Sequence, residues 1–203
     1  MKRGVLIVMA RAPRLGAVKT RLGRDIGVLN AWRFYRETLA STVNRLGRRS
    51  IWSTVLQVTP DREVRSQRQW PDQARLLEQG RGGLGTRMER GLTSFPRGVP
   101  IVLIGSDIPG VTPNHIRDAF KALGRADAVF GPATDGGFWL VGYANRRPIK
   151  RAFDNVRWST AHALADTRAN MGTRRIALVR TMSDVDDGQS YEAFKTQSAI
   201  AIN

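Results

Sequence analysis

GVLIVMARAPRLGAVKTRL, residues 4–22, decides how this chain is read. The run Gly4 to Ala10 is apolar throughout, as a strand buried on both faces of a sheet is. It opens directly into a loop carrying Arg11, Arg14, Lys19 and Arg21. Four cations, spaced by Pro13 and Gly16, therefore stand at the C-terminal end of a buried first strand. In open α/β sheets that edge is where ligands bind, and cations gathered there suit phosphate oxygens. The stretch predicts an α/β enzyme for a nucleotide or nucleotide-sugar. Lys19 and Arg21 are the favoured phosphate contacts, because the loop can fold back on the sheet edge there.

Working outward, apolar runs alternate with helical periodicity, the pattern of α/β folds. Strands are predicted at 4–10, 51–58, 74–79, 99–105, 126–131, 138–143 and 175–180. Helices are predicted at 28–46, 61–69, 86–94, 113–123, 158–170 and 188–198. Leu29, Trp32, Leu39, Val43 and Leu46 share one face of the first of these helices. Thr112 reads as the N-cap of the helix that Pro113 begins. No linker, repeat or low-complexity segment interrupts the pattern. The expectation is one domain over 1–203, three-layer α/β/α, around a mostly parallel mixed sheet.

Composition narrows the class. The 203 residues suffice for a sizeable core, and no apolar run approaches the roughly 20 residues of a membrane span. Lys2 and Arg3 precede an apolar stretch too short, and without the small-residue cleavage site, for a secretory signal. Absence of cysteine excludes disulfides, thiolate metal sites and cysteine nucleophiles. The expected location is the cytoplasm. A net charge of +16 permits weak polyanion binding, but the arginines are scattered over all the predicted helices except the last. No zinc-finger or RNP-like pattern accompanies them, so no specific nucleic-acid partner is expected. Trp52, Trp70, Trp139 and Trp158 read equally as core or as interface.

Four further segments carry chemistry. In LIGSDIPG, Asp107 follows a buried strand on the ligand edge, where a Mg²⁺ or Mn²⁺ could bridge protein and diphosphate; equally, it could cap the turn before Pro109. Asp135-Gly136-Gly137 could be a tight hairpin turn, or glycines that let backbone approach a ligand while Asp135 accepts hydrogen bonds from sugar or base. In SDVDD (183–187) the acids could favour a helix N-terminus, or supply a second metal carboxylate, Asp186 first and Asp184 in reserve. Residues 80–85, GRGGLG, match the dinucleotide-binding fingerprint, but on the third strand, which is short and polar. There Gly85 and Arg87 are better suited to closing over a base or phosphate. His115 and His162 both fall on predicted helices and read as structural. Without an evident general base, the expected chemistry rests on a metal and on electrostatic stabilisation of a departing phosphate.

The blocks ARAPRLGAVKTRL, GRGGLGTRM, LIGSDIPG, GPATDGGFWLVG, WST and SDVDD, in this order, span nearly the whole chain. Together they resemble the small bacterial glycosyltransferase-like proteins of the selenium/radical-SAM-associated transferase type, a domain of unknown function. That family belongs with the GT-A nucleotide-diphospho-sugar transferases and is distantly similar to 2-phospho-lactate and molybdenum-cofactor guanylyltransferases. The resemblance implies a GT-A fold. It implies that Arg11, Ala12, Pro13, Lys19 and Arg21 face the nucleotide phosphates, with Gly85 and Arg87 near base or ribose. Lys19 and Asp107 would be catalytic, Asp107 and Asp186 would hold the metal, and Asp135, Gly136 and Gly137 would border the acceptor or sugar. The chain departs from the family pattern at Gly83, where relatives carry an acid or Asn, at Ile108, where they carry cysteine, and at Asp187, where they carry Thr. A metal-dependent glycosyltransferase-like enzyme, a guanylyltransferase-like nucleotidyltransferase releasing pyrophosphate, and a non-catalytic nucleotide-binding or basic interaction module all remain open.

Overall fold

The computed structural model describes residues 3–47, 51–66, 70–71 and 74–200, with side chains to 196. Its centre is the apolar run of the opening stretch, now β1 (Gly4–Arg11). Leu6, Ile7 and Val8 are fully buried, because β1 pairs in parallel with β2 (Trp52–Thr59) on one side and with β4 (Ile101–Gly105) on the other. β3 (Arg75–Glu78) extends the sheet beyond β2. Beyond β4 lie β6 (Phe138–Tyr143), β5 (Ala128–Pro132) and β7 (Ile176–Leu178), giving the order β3-β2-β1-β4-β6-β5-β7. β6 runs antiparallel to both its neighbours and every other pairing is parallel. The sheet is mostly parallel and mixed, as the sequence predicts.

Alternation of side chains along β1 builds a core on each face. Leu6, Val8 and Ala10 join a cluster with Leu39, Val43 and Leu46 of α2 (Val28–Gly47) and Ile116, Ala119 and Phe120 of α4 (Pro113–Ala122). Val5 and Ile7 join the opposite cluster, with Met88 and Leu92 of α3 (Leu84–Thr93). Leu164 of α5 (Ala163–Asn170) packs against this second cluster. The α4 start follows its sequence signals: Thr112 caps it, and the His115 backbone and ring close a capping box around Thr112. His115 is thus a capping residue. A small third cluster joins Leu22 of α1 (Thr20–Ile26), Ala31 of α2 and Val185, with Tyr191 and Phe194 of α6 (Gly188–Ile200) against it.

Four expectations are corrected. α1 lies where a loop is predicted; it buries only Leu22, too little apolar periodicity to read from sequence. The helix expected over 158–170 begins at Ala163, and residues 158–162 form turns with Ser159 at φ 59°. The helix expected over 61–69 is a 3₁₀ helix over Asp61–Arg65, and 67–69 lie outside the described residues. Val99 and Pro100 precede β4 rather than join it, although the Pro100 carbonyl still accepts from Val5 N–H.

Candidate active site at the β1/β4 switch point

The chain winds from β1 outward to β2 and β3, then returns to place β4 on the other side of β1. A crevice opens at such a switch point, outside the carboxyl ends of the strands. Here it is a cleft of about 650 Å³, a volume ordinary for a small-molecule site. The loops after β1, β3 and β4, the β5–β6 hairpin and the segment after β7 all reach it.

Lys19 stands at its centre. The residue takes the left-handed conformation at φ 47° and begins α1, which turns its side chain inward so that only 5% of it is exposed. Its Nζ lies 3.1 Å from Asp107 Oδ2 and 3.4 Å from Asp186 Oδ1. Arg21 Nη1 meets the second oxygen of Asp186 at 3.0 Å. Carboxylates 79 positions apart in sequence are thus joined through one ammonium group (186 − 107).

Asp107 is carried by the end of β4, and the segment holding Asp186 is docked on it through Val185 N–H to Asp107 O at 3.4 Å. Val185 is buried in the third cluster. Ser190 Oγ accepts from the backbone N–H groups of Asp186 and Asp187, and Asp187 Oδ1 accepts from Ser190 N–H. The SDVDD acids therefore divide. Asp187 caps the start of α6, and its Ser190 hydrogen bonds hold its carboxyl below the usual aspartate range. Asp184 and Asp186 line the cleft. Burial pushes the Asp184 carboxyl up, and the nearby charges of Asp107, Asp186 and Asp135 push it further.

On the β1 side, Tyr35 of α2 fixes the strand end. Its hydroxyl accepts from Arg11 N–H at 2.9 Å, donates to Arg11 O at 2.8 Å and meets Ser106 Oγ at 3.2 Å. Burial raises the proton affinity of that phenol, which stays a neutral donor. Gln79 and Arg87 form the wall at the end of β3, joined through Gln79 Oε1 and Arg87 Nη1 at 3.0 Å.

On the β6 side, the Asp135-Gly136-Gly137 turn does connect antiparallel β5 and β6. Asp135 Oδ1 accepts from Gly137 N–H at 2.9 Å, while Asp135 and Gly137 also line the cleft. The turn reading of this segment holds, and the close approach at its first glycine is to protein backbone. Gly136, at φ 85°, lies against Ala161, whose carbonyl oxygen a Cβ would approach to 2.3 Å. Phe138 and Trp158, ring centroids 6.2 Å apart, make an aromatic wall beside the turn.

The cleft thus gathers Arg11, Lys19, Arg21, Arg87, Asp107, Asp135, Gly137 and Asp186. Ala12, Pro13, Gly85 and Gly136 are not among its lining residues. Ala12 is buried; the Pro13 carbonyl accepts from Trp32 Nε1 at 2.6 Å; Gly85 packs beneath Phe153 and Trp158. Arg14 turns away to pair with Glu63. Tyr35, Gln79 and the aromatic wall are cleft residues that motif reading passed over.

The donor set suits a hard cation that arrives with its substrate. Among the described residues no group of three or more His, Asp or Glu side chains is arranged to hold a metal ion. Mg²⁺ commonly takes one or two carboxylates and fills its shell with water and substrate phosphate. Asp107 and Asp186, already sharing one cation and each over a third exposed, fit that requirement.

The bacterial family described as "Uncharacterized protein conserved in bacteria (DUF2064)" matches residues 42–160, more than half of the chain. No curated protein matches. Among solved structures, a provisionally named nucleotide-diphospho-sugar transferase from Desulfovibrio desulfuricans is similar at 27% identity and TM-score 0.86, over 96% of this chain and 87% of that one. A 4-diphosphocytidyl-2C-methyl-D-erythritol synthase from Anaerococcus prevotii matches at 9% identity and TM-score 0.60, over 96% and 99% of the two chains. A CMP:2-keto-3-deoxy-manno-octonic acid synthetase complexed with CTP matches at 11% and 0.54, over 98% and 100%. The fold is that of the nucleotide-diphospho-sugar transferases.

Proposed function

We propose that this chain, which belongs to the bacterial DUF2064 family, is a metal-dependent transferase acting on a nucleotide or nucleotide-sugar. The observation that carries the proposal is Lys19 Nζ held between Asp107 and Asp186 at the β1/β4 switch point. A cluster of one buried ammonium and two partly exposed carboxylates has little structural use at a sheet edge. It does suit a diphosphate that brings its own counter-cation.

In this reading Arg11, Lys19 and Arg21 donate to phosphate oxygens, and Arg87 binds the nucleotide from the β3 side. Asp107 and Asp186 would hold Mg²⁺ or Mn²⁺, which when bound neutralises charge on the departing phosphate. Asp135 accepts a hydrogen bond from a hydroxyl of the transferred group or acceptor. Phe138 and Trp158 shield that side of the cleft from water, which strengthens every charge interaction inside it.

Two reactions suit this arrangement. Glycosyl transfer is put first, supported by the name carried by the Desulfovibrio desulfuricans relative at 27% identity. Nucleotidyl transfer, with release of pyrophosphate, is the second reading. Three cations along one short connection favour it, Arg11 at the end of β1, Lys19 before α1 and Arg21 in its first turn, because together they can hold a leaving pyrophosphate. Radiolabelled nucleotide-sugars and nucleoside triphosphates, incubated with Mg²⁺ and candidate acceptors, separate the two. Transfer of labelled sugar with release of nucleoside diphosphate supports the first. Pyrophosphate released from the triphosphate without sugar transfer overturns it in favour of the second.

A further inference from the structure

Gln79 is a polar residue with only 3% of its surface exposed, and every hydrogen-bonding group it has is engaged. Its backbone N–H donates to Val58 O at 3.0 Å and its carbonyl accepts from Arg90. Nε2 donates to Ala10 O at 3.1 Å and to Gln57 O at 2.9 Å, and Oε1 accepts from Arg87 Nη1 at 3.0 Å. The amide cannot turn over, because its two donors already face the carbonyls at the ends of β1 and β2. Its oxygen must therefore face Arg87.

A second buried glutamine acts on the same arginine from below. Gln57, 1% exposed, donates from Nε2 to Arg87 O at 3.2 Å and to Glu78 O at 3.4 Å. Its own Oε1 is buried without a partner. It faces Gly91 of α3, where a Cβ would come within 2.6 Å. Gln57 thus sets the α3 backbone at Arg87 and Gln79 sets the side chain. Arg87 Nε also leans on Gly83 O at 3.4 Å. Among the described residues Arg87 Nη2 makes no hydrogen bond, and the side chain lines the cleft.

We propose that Gln79 is a positioning residue that holds the Arg87 guanidinium ready to donate hydrogen bonds from the β3 side of the cleft to an acceptor oxygen of the nucleotide. This rests on the nucleotide reading above and deepens it. A guanidinium offers donors only, in a fixed planar fork. Its ligand atoms are therefore oxygens or ring nitrogens with free lone pairs, on a phosphate or on the carbonyl edge of a base. Arranging the fork before the ligand arrives spares the ordering cost at the moment of binding.

Calorimetry on wild type, Gln79→Met, Arg87→Met and the double variant, with CTP–Mg²⁺ and pyrophosphate–Mg²⁺ as probes, tests this. Gln79→Met should weaken CTP binding about tenfold, the size of one hydrogen bond to a charged group. In the Arg87→Met background it should cost less than twofold more. Losses that multiply instead would mean that Gln79 does not act through Arg87, and would overturn the proposal. The same pattern with pyrophosphate identifies phosphate as the acceptor, and its confinement to CTP identifies the base. Guanidinium ¹⁵N NMR of the ligand-free protein keeps the test independent of nucleotide binding. Wild type should show Arg87 Nη resonances split by slow rotation, collapsing in Gln79→Met. Equal spectra would overturn the proposal even if CTP binds, and split spectra with no binding of either probe would uphold the positioning of Arg87 by Gln79 while counting against the nucleotide as its ligand.

Discussion

At the scale of single residues, Lys19 decides the most. Its ammonium sits between Asp107 and Asp186, so Lys19→Met leaves two carboxylates across a cleft without their shared cation and removes a phosphate donor. Nucleotide affinity by calorimetry should fall at least tenfold, with the fold retained by circular dichroism. Asp184 carries the opposite signature. An acid whose proton affinity is higher folded than unfolded costs stability once the pH passes its unfolded value. Burial and three neighbouring carboxylates give Asp184 that direction. Asp184→Asn should therefore raise the melting temperature at pH 7, and the gain should disappear below the ordinary aspartate value of 3.8. Asp107, Lys19 and Arg21 could be found in the sequence because they follow obvious buried strands. Tyr35 could not, because an aromatic on the apolar face of α2 reads like any core residue. Gln79 carried one faint signal, a neutral polar side chain at a strand end on the ligand edge.

At the scale of elements, the cleft depends on small contacts that hold its walls. Gly85 at the first turn of α3 touches Phe153 and Trp158; an added Cβ would lie 2.6 Å from Phe153 Cβ and 3.1 Å from Trp158 Cζ2. Gly85→Ala should cost about 1–3 kcal/mol in urea unfolding, as overpacking does, and should disturb Trp158 fluorescence. The turn carrying Trp158 is tied to α5 by Arg157, whose backbone N–H, Nε and Nη2 all meet the Asp166 carboxylate, at 3.1, 2.9 and 2.7 Å. Those hydrogen bonds lower the Asp166 carboxyl to about 2. A depressed acid lends stability above its unfolded value and loses it as the pH falls through the folded one. Trp158 fluorescence should therefore change between pH 4 and pH 2 in wild type, and not in Asp166→Asn. None of this tie is visible in the sequence, where 158–162 looks like the start of a longer helix. α1 escaped for the reverse reason: it is held by tertiary contacts of Leu22 rather than by a periodic face of its own.

At the scale of the whole molecule, the sheet order places everything else. Continuous apolar runs at 4–10 and 101–105 identified the two central strands, and a strand buried on both faces has few other readings. Strand order was not legible, because nothing local records that β6 inserts antiparallel between β4 and β5. That insertion brings the Asp135 turn to the same edge as Lys19 and Asp107. Among the described residues no helix is long and apolar enough to cross a membrane. The strongly basic surface should give weak polyanion binding that falls steeply with salt, which electrophoretic titration at 50 and 200 mM salt would detect. The central claim is that the switch-point cluster binds nucleotide together with a divalent cation. The most direct measurement is a thermal-shift panel of nucleoside triphosphates, diphosphates and nucleotide-sugars, each with Mg²⁺, Mn²⁺ or EDTA, on wild type and Asp107→Ala. A ligand selective for the native state raises its stability with concentration over affinity. The account predicts a shift in wild type with at least one nucleotide, abolished by EDTA and absent in Asp107→Ala. No shift with any nucleotide, or a shift indifferent to EDTA and to Asp107, would contradict it.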